Sequence, residues 1–190
     1  MQRSFFINND VVGIAKSLIG ASLYSKVDGT LTGGIIIETE AYCESCDLAM
    51  QKHLVRRPSS IDVLKSQGGI AYIYSVYGYH SMFNIVTNES GYADSVLVRA
   101  IKPTVGLDAM RERRGIKTPT RNLCSGPAKL SQALGLTPAL NGISILDKAT
   151  VWIEGNASPV CHENIISSPR IGIDYAKHDA KLPWRFVMKH

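Results

Sequence analysis

The stretch GGIIIETEAY, residues 33–42, constrains the fold of this chain more than any other. Three consecutive isoleucines predict a buried strand, which runs directly into the carboxylates Glu38 and Glu40 and then Tyr42. Because strand side chains alternate between two faces, Glu38, Glu40 and Tyr42 are expected to share one side. Charge at the end of an apolar strand costs free energy unless it reaches water or a partner. The local sequence leaves both a solvated strand end and a functional site open.

Further strand patterns surround this stretch. Residues 21–26 predict a preceding strand, with Asp28-Gly29 as the hairpin turn between the two. The remaining predicted strands cover residues 70–76, 81–86, 95–101 (ended by Lys102-Pro103), two segments within 142–154, 170–173 and 184–187.

Helical patterns are fewer. Residues 9–20 predict a helix capped by Asn9 or Asp10, and residues 105–114 and 122–136 predict two more. Residues 43–67 indicate a long surface connection that could fold over a site, with a short helix from Ser59 or Ser60 through Lys65. Strands therefore outnumber helices and are mostly joined by short turns. This pattern predicts a single α+β domain over residues 1–190, built on a curved, antiparallel, barrel-like sheet with surrounding helices.

Composition excludes several classes of protein. The 45% apolar and 19% charged residues indicate an ordinary globular chain, and 21 Lys+Arg against 16 Asp+Glu give a net charge of +5. A mildly basic chain suits nucleic acid or an anionic membrane surface, or has no particular partner. Because no apolar run approaches the roughly 18 residues of a membrane span and no signal-peptide layout is present, a cytoplasmic protein is expected.

The cysteines and known motifs indicate no cofactor. The four cysteines are expected to be reduced thiols, since no secretory signal accompanies them. Cys43 and Cys46 form a C-x-x-C, but no second pair completes a tetrahedral metal site. The chain also contains no phosphate-binding loop, dinucleotide fingerprint or nucleophile elbow. Neither a metal nor a cofactor is predicted.

Three other features could carry chemistry. Arg99 ends the apolar strand SVLVRA, where it could pair with a carboxylate structurally or help that carboxylate hold a water. Tyrosines cluster around the turn YGYH at residues 77–80, and exposed rings there would suit stacking. The turn Ser125-Gly126 enters a helix that carries Lys129 one turn later, which fits a phosphate site or a plain helix start equally well.

Five blocks in fixed order resemble the alkyladenine (3-methyladenine) DNA glycosylase family, and the likeness covers almost the whole chain. The blocks are ETEAY at 38–42, YIYSVYG at 72–78 with Asn84 beyond, VLVRAIKP at 96–103, LCSGPAKLSQALGL at 123–136 and PRIGI at 169–173. The resemblance implies a monofunctional DNA glycosylase of base-excision repair. Such an enzyme flips alkylated purines (3-methyladenine and 7-methylguanine, with ethenoadenine and hypoxanthine as further candidates) from duplex DNA and leaves an abasic site.

The resemblance also implies residue roles. Glu40 would be the general base that activates the water, with Arg99 and the backbone of Ile171 placing that water. In the base-binding pocket, Tyr42 and Tyr74 would stack on the flipped base and Asn84 would discriminate at its edge. The remaining implied roles belong to Tyr77, the wedge that fills the gap in the duplex, and to Ser125, Gly126 and Lys129, which would hold phosphate. A monomer acting on duplex DNA is expected.

One departure from the family concerns the base pocket. Gln51 stands where the family has a histidine in a D-x-A-S-H context, and Pro58-Ser59-Ser60-Ile61 stands near the place of the family's T-x-R-N segment. Glutamine keeps hydrogen bonding but loses a flat stacking surface. Reduced action on neutral bases such as hypoxanthine is therefore predicted, and His53 could substitute only if the loop shifts.

Two other functional classes stay open at this point. A non-catalytic nucleic-acid-binding module could use the same tyrosines for stacking and the same Lys and Arg residues for phosphates. A small-molecule or RNA accessory role rests only on related barrel folds in the C-terminal domains of formyltransferases. Intact Glu40 and Arg99 favour the enzyme, because a binding module has no need of a buried carboxylate.

Overall fold

The computed structural model describes residues 1–115, 122–156 and 160–189. Its α-helices are α1 Arg3–Phe6, α2 Val11–Ser17, α3 Leu48–Arg56, α4 Ile61–Leu64, α5 Leu107–Arg114 and α6 Pro127–Leu134. Its strands are β1 Ser22–Val27, β2 Thr30–Tyr42, β3 Ala71–Val76, β4 His80–Thr87, β5 Asp94–Val105, β6 Val151–Glu154, β7 Ile165–Ser168 and β8 Arg185–Met188. Short 3-10 helices cover Pro58–Ser60, Pro138–Leu140, His162–Asn164 and Asp174–Lys181. None of the helices in these ranges is long and apolar enough to cross a membrane.

The strands form one antiparallel sheet with the order β3-β4-β5-β2-β1-β6, and β8 joins it by pairing with β2 and β7. The predicted α+β class and antiparallel sheet are therefore confirmed. The predicted barrel-like closure does not occur, since β3 and β6 stand at the two ends of the strand order.

Strand β2 is the centre of the sheet. It pairs with β5 along one edge, whereas its other edge pairs with β1 over Thr30–Ile35 and with β8 over Glu38–Glu40. The β2–β5 register shifts at three places, between Gly33 and Gly34 and on both sides of Glu38. Gly34 is required by close approach, because a Cβ there would lie 2.2 Å from the carbonyl oxygen of Lys102.

Apolar side chains of the sheet and of the helices packed on it form the core. The largest cluster joins the sheet to α2, α5 and α6, and its largest fully buried members include Leu18, Ile36, Phe83, Met110 and Leu130. A smaller cluster, Met50, Leu64, Tyr72, Val86 and Ala93, packs α3 and α4 against β3 and β4. The site described below lies beside this smaller cluster.

The first predicted elements are confirmed. Helix α2 begins after Asp10, whose carboxylate accepts a hydrogen bond from the N–H of Gly13 at 2.8 Å. The β1–β2 hairpin turns through Asp28 and Gly29 with φ of +52° and +74°, as a primed two-residue turn requires.

Helix α3 corrects the prediction of an irregular connection over residues 43–67. The helix begins after Asp47, whose side chain accepts a hydrogen bond from the N–H of Ala49, and it buries Ala49 and Met50. Its mean hydropathy is low because Lys, His and Arg dominate its second half, which hid the helical pattern. The predicted short helix through Lys65 is present as α4.

Three predicted strand bounds are also wrong. Strand β5 continues past Pro103 to Val105, and proline is tolerated there because it faces Gly34 next to a register shift. Residues 170–173 are not a strand, since the chain bends there through Gly172 with φ of +77°, and the strand β7 ends before Pro169. Of the two strands predicted within 142–154 only β6 forms, and the other segment makes a single bridge between Ser144 and Ile70.

Candidate active site

Glu40 lies at the end of β2 with its side chain fully buried (0% exposed). Its Oε1 accepts a hydrogen bond from the backbone N–H of Ile171 at 2.8 Å and lies 3.2 Å from Nη1 of Arg99. Its Oε2 accepts a hydrogen bond from the hydroxyl of Tyr42 at 2.7 Å. A buried carboxylate costs free energy unless it is paired and hydrogen-bonded, and here both oxygens are satisfied.

Arg99 connects Glu40 to the second carboxylate of β2. Its Nε donates to Oε1 of Glu38 at 2.9 Å, and Nε of Arg185 donates to the same oxygen at 2.6 Å. Glu38, Glu40 and Tyr42 therefore lie on one side of β2, as the alternation of strand side chains predicts. Glu38, for which the sequence indicated no role, holds the arginine that contacts Glu40.

A cavity of about 330 Å³ opens beside this cluster. Six of the residues singled out from the sequence line it: Tyr42, Tyr74, Tyr77, Asn84, Arg99 and Ile171. Its walls combine five tyrosines with aliphatic side chains and a few polar groups, which suits a flat apolar ring with polar atoms at its edge. The segments that meet here are separated by up to 131 residues in the chain, as for Glu40 and Ile171.

The aromatic walls are held by cations and by one another. The guanidinium of Arg170 lies 4.7 Å from the ring centroid of Tyr42, and Tyr74 stacks on Tyr72 with centroids 5.2 Å apart. Burial raises the pKa of the Tyr42 hydroxyl well above its ordinary value, with the charge of nearby Glu40 adding to the effect. Burial also raises the pKa of Tyr74. Both hydroxyls are consequently protonated at neutral pH, and that of Tyr42 donates its proton to Glu40.

Asn84 lies at the buried side of the cavity. Its Nδ2 donates to the carbonyl oxygens of Tyr72 at 3.3 Å and Met82 at 3.2 Å. Within the part of the chain that the structure describes, Oδ1 receives no hydrogen bond, so this acceptor is available to an occupant of the cavity.

Tyr77 projects from the β3–β4 hairpin, with 84% of its surface exposed. Its φ is +54° and that of Gly78 is +79°, so a bulky residue occupies a backbone conformation that favours glycine. Strain of this kind persists where the surroundings or the function require it. The ring lies at the mouth of the cavity.

The predicted phosphate residues lie at the start of α6. Gly126, with φ of +112°, precedes the helix, and no side chain caps the first-turn N–H groups. Lys129 is exposed and forms no ion pair with the residues described. Since Pro127 lines the cavity, this helix start borders the mouth of the pocket.

Gln51 is the one predicted base-binding residue that does not line the cavity. Its Nε2 donates to the carbonyl oxygen of Glu44 at 3.0 Å on the protein surface. His53, two residues later on α3, lines the cavity instead. The helical spacing after the Asp47 cap could have revealed this, because residues three apart, such as Met50 and His53, share a helix face.

A buried ion pair, also missed from the sequence, holds the segment that carries Ile171. Both nitrogens of the Arg170 guanidinium fork donate to Asp47, at 2.6 and 2.8 Å, and Nη1 also donates to the carbonyl oxygen of Ala41. Neither side chain is exposed (0% for both). Arg170 thus connects the start of α3, the end of β2 and the bend at residues 170–173.

These contacts leave one buried, hydrogen-bonded carboxylate beside a cavity that several tyrosines line. No group of three or more His, Cys, Asp or Glu residues that could hold a metal occurs among the residues described. The chain belongs to the methylpurine-DNA glycosylase family, whose model matches residues 5–190.

Relatives along the full chain bear the name 3-methyladenine DNA glycosylase. One from Chlamydia felis (strain Fe/C-56) is 42% identical over 189 residues, covering 99% of this chain and 95% of its own length. One from Rhodopseudomonas palustris (strain BisB18) is 43% identical over 190 residues, covering 100% and 87%. One from Methanoculleus marisnigri (strain ATCC 35101 / DSM 1498 / JR1) is 41% identical over 187 residues, covering 97% and 93%. As a member of this family, the protein is a DNA glycosylase, a hydrolase that acts on DNA.

Proposed function

We propose that this protein extrudes alkylated purines, 3-methyladenine and 7-methylguanine, from duplex DNA and hydrolyses their N-glycosidic bond with a water activated by Glu40. Ethenoadenine and hypoxanthine are further candidate substrates. The observation that carries the proposal is the buried Glu40 carboxylate, bound by Arg99 and by the N–H of Ile171 beside an aromatic cavity. Action as a monomer on duplex DNA is part of this proposal.

Glu40 would act as the general base. An N3- or N7-alkylated purine is cationic, so it departs without strong acid assistance, and one carboxylate suffices where most glycosidases use two. Water attacks C1′ of the deoxyribose, the bond to the purine nitrogen breaks, and the proton of the water passes to Glu40. The negative charge of Glu40 also stabilises the oxocarbenium character that develops on the sugar.

Tyr42, Tyr74 and Asn84 would receive the extruded base. Tyr42 and Tyr74 supply aromatic contact area, and Oδ1 of Asn84 supplies an acceptor at the base's edge. Tyr77 would fill the gap in the duplex, offsetting part of an unstacking cost of a few kcal/mol. Arg99 and the backbone of Ile171 would place the water through the oxygen atoms of Glu40.

The start of α6 would bind a phosphate beside the extruded nucleotide. The uncapped first-turn N–H groups after Ser125-Gly126 and the ammonium of Lys129 are what an anion needs at a helix N-terminus. A phosphate there would orient the backbone next to the cavity mouth, where Pro127 lies.

Glu40→Gln is the first test. This variant keeps the size of the side chain and one acceptor oxygen but removes the base, so we expect base release to fall by about 10²–10⁴-fold with DNA binding retained. The measurement is single-turnover release of 3-methyladenine from methylated duplex DNA, followed as alkali-labile abasic sites, together with a binding titration.

Glu112→Gln is the matched control, since Glu112 is exposed on α5. It should leave both measurements unchanged. Release of 3-methyladenine by Glu40→Gln at the parental rate would remove Glu40 from the mechanism. A parental protein that binds the DNA but creates no abasic sites would instead support a non-catalytic binding module.

A further inference from the structure

Helix α3 presents different residues to the surface and to the cavity. Gln51 lies on the surface and donates to the carbonyl oxygen of Glu44 at 3.0 Å. His53 lies on the side of the helix that faces β3, where its Nε2 and the hydroxyl of Tyr72 are 2.8 Å apart. A glutamine with this backbone partner is outside hydrogen-bond reach of an occupant of the cavity, whereas His53 forms part of the cavity wall.

Two tyrosine rings pack against the His53 ring, and a guanidinium packs on one of those tyrosines in turn. Its centroid lies 5.7 Å from that of Tyr72 and 4.9 Å from that of Tyr74, both in edge-to-face arrangements. The guanidinium of Arg57 lies over the Tyr74 ring at 4.7 Å from its centroid. Burial, together with the charges of Arg57 and Arg56, lowers the pKa of His53 to about 4. The imidazole is therefore neutral at physiological pH.

A neutral imidazole has one donor nitrogen and one acceptor nitrogen. The Tyr72 hydroxyl can complement either arrangement, because it can accept from a protonated Nε2 or donate to an unprotonated one. In the first case Nδ1 is an acceptor, and in the second it is a donor. Nδ1 of His53 makes no hydrogen bond with the residues described.

We propose that His53, whose two tautomers the Tyr72 hydroxyl can both hydrogen-bond, is the residue that reads the exocyclic group of the extruded purine. With Nδ1 as an acceptor, His53 can accept a hydrogen bond from a 6-amino group, and with Nδ1 as a donor it can donate to a 6-oxo group. The same side chain therefore admits both 6-amino and 6-oxo purines. This inference rests on the proposed function, and it replaces the expectation that Gln51 leaves neutral bases poorly recognised. His53 is thereby a specificity-determining residue on a helix that the sequence did not predict.

The test compares single-turnover release of 3-methyladenine and hypoxanthine from the same duplex by four variants of the full chain. His53→Phe keeps an aromatic ring without hydrogen bonding, and we expect it to lower hypoxanthine release by about tenfold or more while 3-methyladenine release changes by less than about threefold. A cationic base departs readily, so it depends less on the contact at its edge. Tyr72→Phe should also lower hypoxanthine release selectively, since it removes the hydroxyl that holds the His53 ring through Nε2 in either tautomer.

Gln51→Ala is the control for position and should leave both rates unchanged. His53→Gln keeps hydrogen bonding without a ring, and it serves as the second variant should the phenylalanine not fold. Selective loss of hypoxanthine release in Gln51→Ala, or equal loss of both bases in the soluble His53 variants, would overturn the proposal. A parental enzyme that releases 3-methyladenine but not hypoxanthine would overturn it as well. Release of neither base would instead be a failure of the proposed function.

Discussion

Oε1 of Glu38 accepts hydrogen bonds from two arginines, and only one of them contacts Glu40. Arg99 extends from Glu38 to Glu40, so the first carboxylate determines where the guanidinium stands beside the second. Arg185, from β8, fixes Glu38 in turn. Since catalytic groups must be held close to their productive geometry, the Glu38 contact would help to orient Glu40, the proposed general base.

Glu38→Gln tests this positioning role. The amide keeps the shape of the side chain but gives up the charge that holds Arg99, so we expect single-turnover release of 3-methyladenine to fall by about tenfold, equivalent to roughly 1.4 kcal/mol of barrier. Affinity for duplex DNA should stay within about twofold, because Glu38 does not line the cavity. Parental release rates in a folded Glu38→Gln protein would reduce Glu38 to a purely structural residue.

At the scale of elements, the β3–β4 hairpin carries two exposed tyrosines near the cavity. Tyr77 is 84% exposed and Tyr79 is 76% exposed, but only Tyr77 lines the mouth of the cavity. Tyr79 packs against His80 with ring centroids 4.2 Å apart. Tyr77 and Tyr79 are therefore similarly exposed on one hairpin but differ in whether they line the cavity, so Tyr79 is a control for Tyr77.

Tyr77→Ala should lower base release from duplex DNA by roughly tenfold, since an unfilled gap lets the extruded base return to the stack. Tyr79→Ala should change release by less than about threefold on the same substrate, as a residue without this role does. Single-turnover release from duplex and from single-stranded DNA is the measurement. Equal effects of both substitutions, or an equal loss of release by Tyr77→Ala on single strands, would contradict a wedge role for Tyr77.

Elements with strong local patterns were predictable, and elements defined by distant partners were not. The β1–β2 hairpin follows from alternation and the Asp28-Gly29 turn, and α6 follows from Gly126-Pro127. Helix α3 was missed because basic residues interrupt its apolar pattern, although Met50 and Leu54, one turn apart, pack in the same cluster.

At the scale of the whole molecule, the site depends on pairings that no local pattern shows. The resemblance to a known family identified Glu40 and Arg99, and the geometry brings them together. It could not show which carboxylate Arg99 contacts through Nε, nor that His53 rather than Gln51 reaches the cavity. The place of His53 depends on where α3 docks, and the contact between Asp47 and Arg170, which are 123 residues apart in the sequence, holds the start of that helix.

Asp47→Asn tests the importance of that docking for the fold. Removing one charge leaves the Arg170 guanidinium buried without its partner, so we expect the free energy of unfolding to fall by about 3–5 kcal/mol. Urea denaturation followed by circular dichroism measures it. Asp108→Asn, which removes an exposed partner of Arg111, is the control and should not move the midpoint. A similar small effect of both substitutions would show that the buried pair does not stabilise the fold.

Because β2 changes its pairing partner along its length, insertions and deletions are not tolerated equally in its two halves. Strand β2 pairs with β1 over Thr30–Ile35 and with β8 over Glu38–Glu40, so Glu40 belongs only to the second half. Two residues added at the Asp28-Gly29 tip would extend the first hairpin outward and leave the side of the sheet that Glu40 faces unchanged. One residue added after Glu38 would turn the carboxylate to the opposite face. We therefore expect insertions and deletions among homologues to accumulate at the first hairpin and to be absent from the second half of β2.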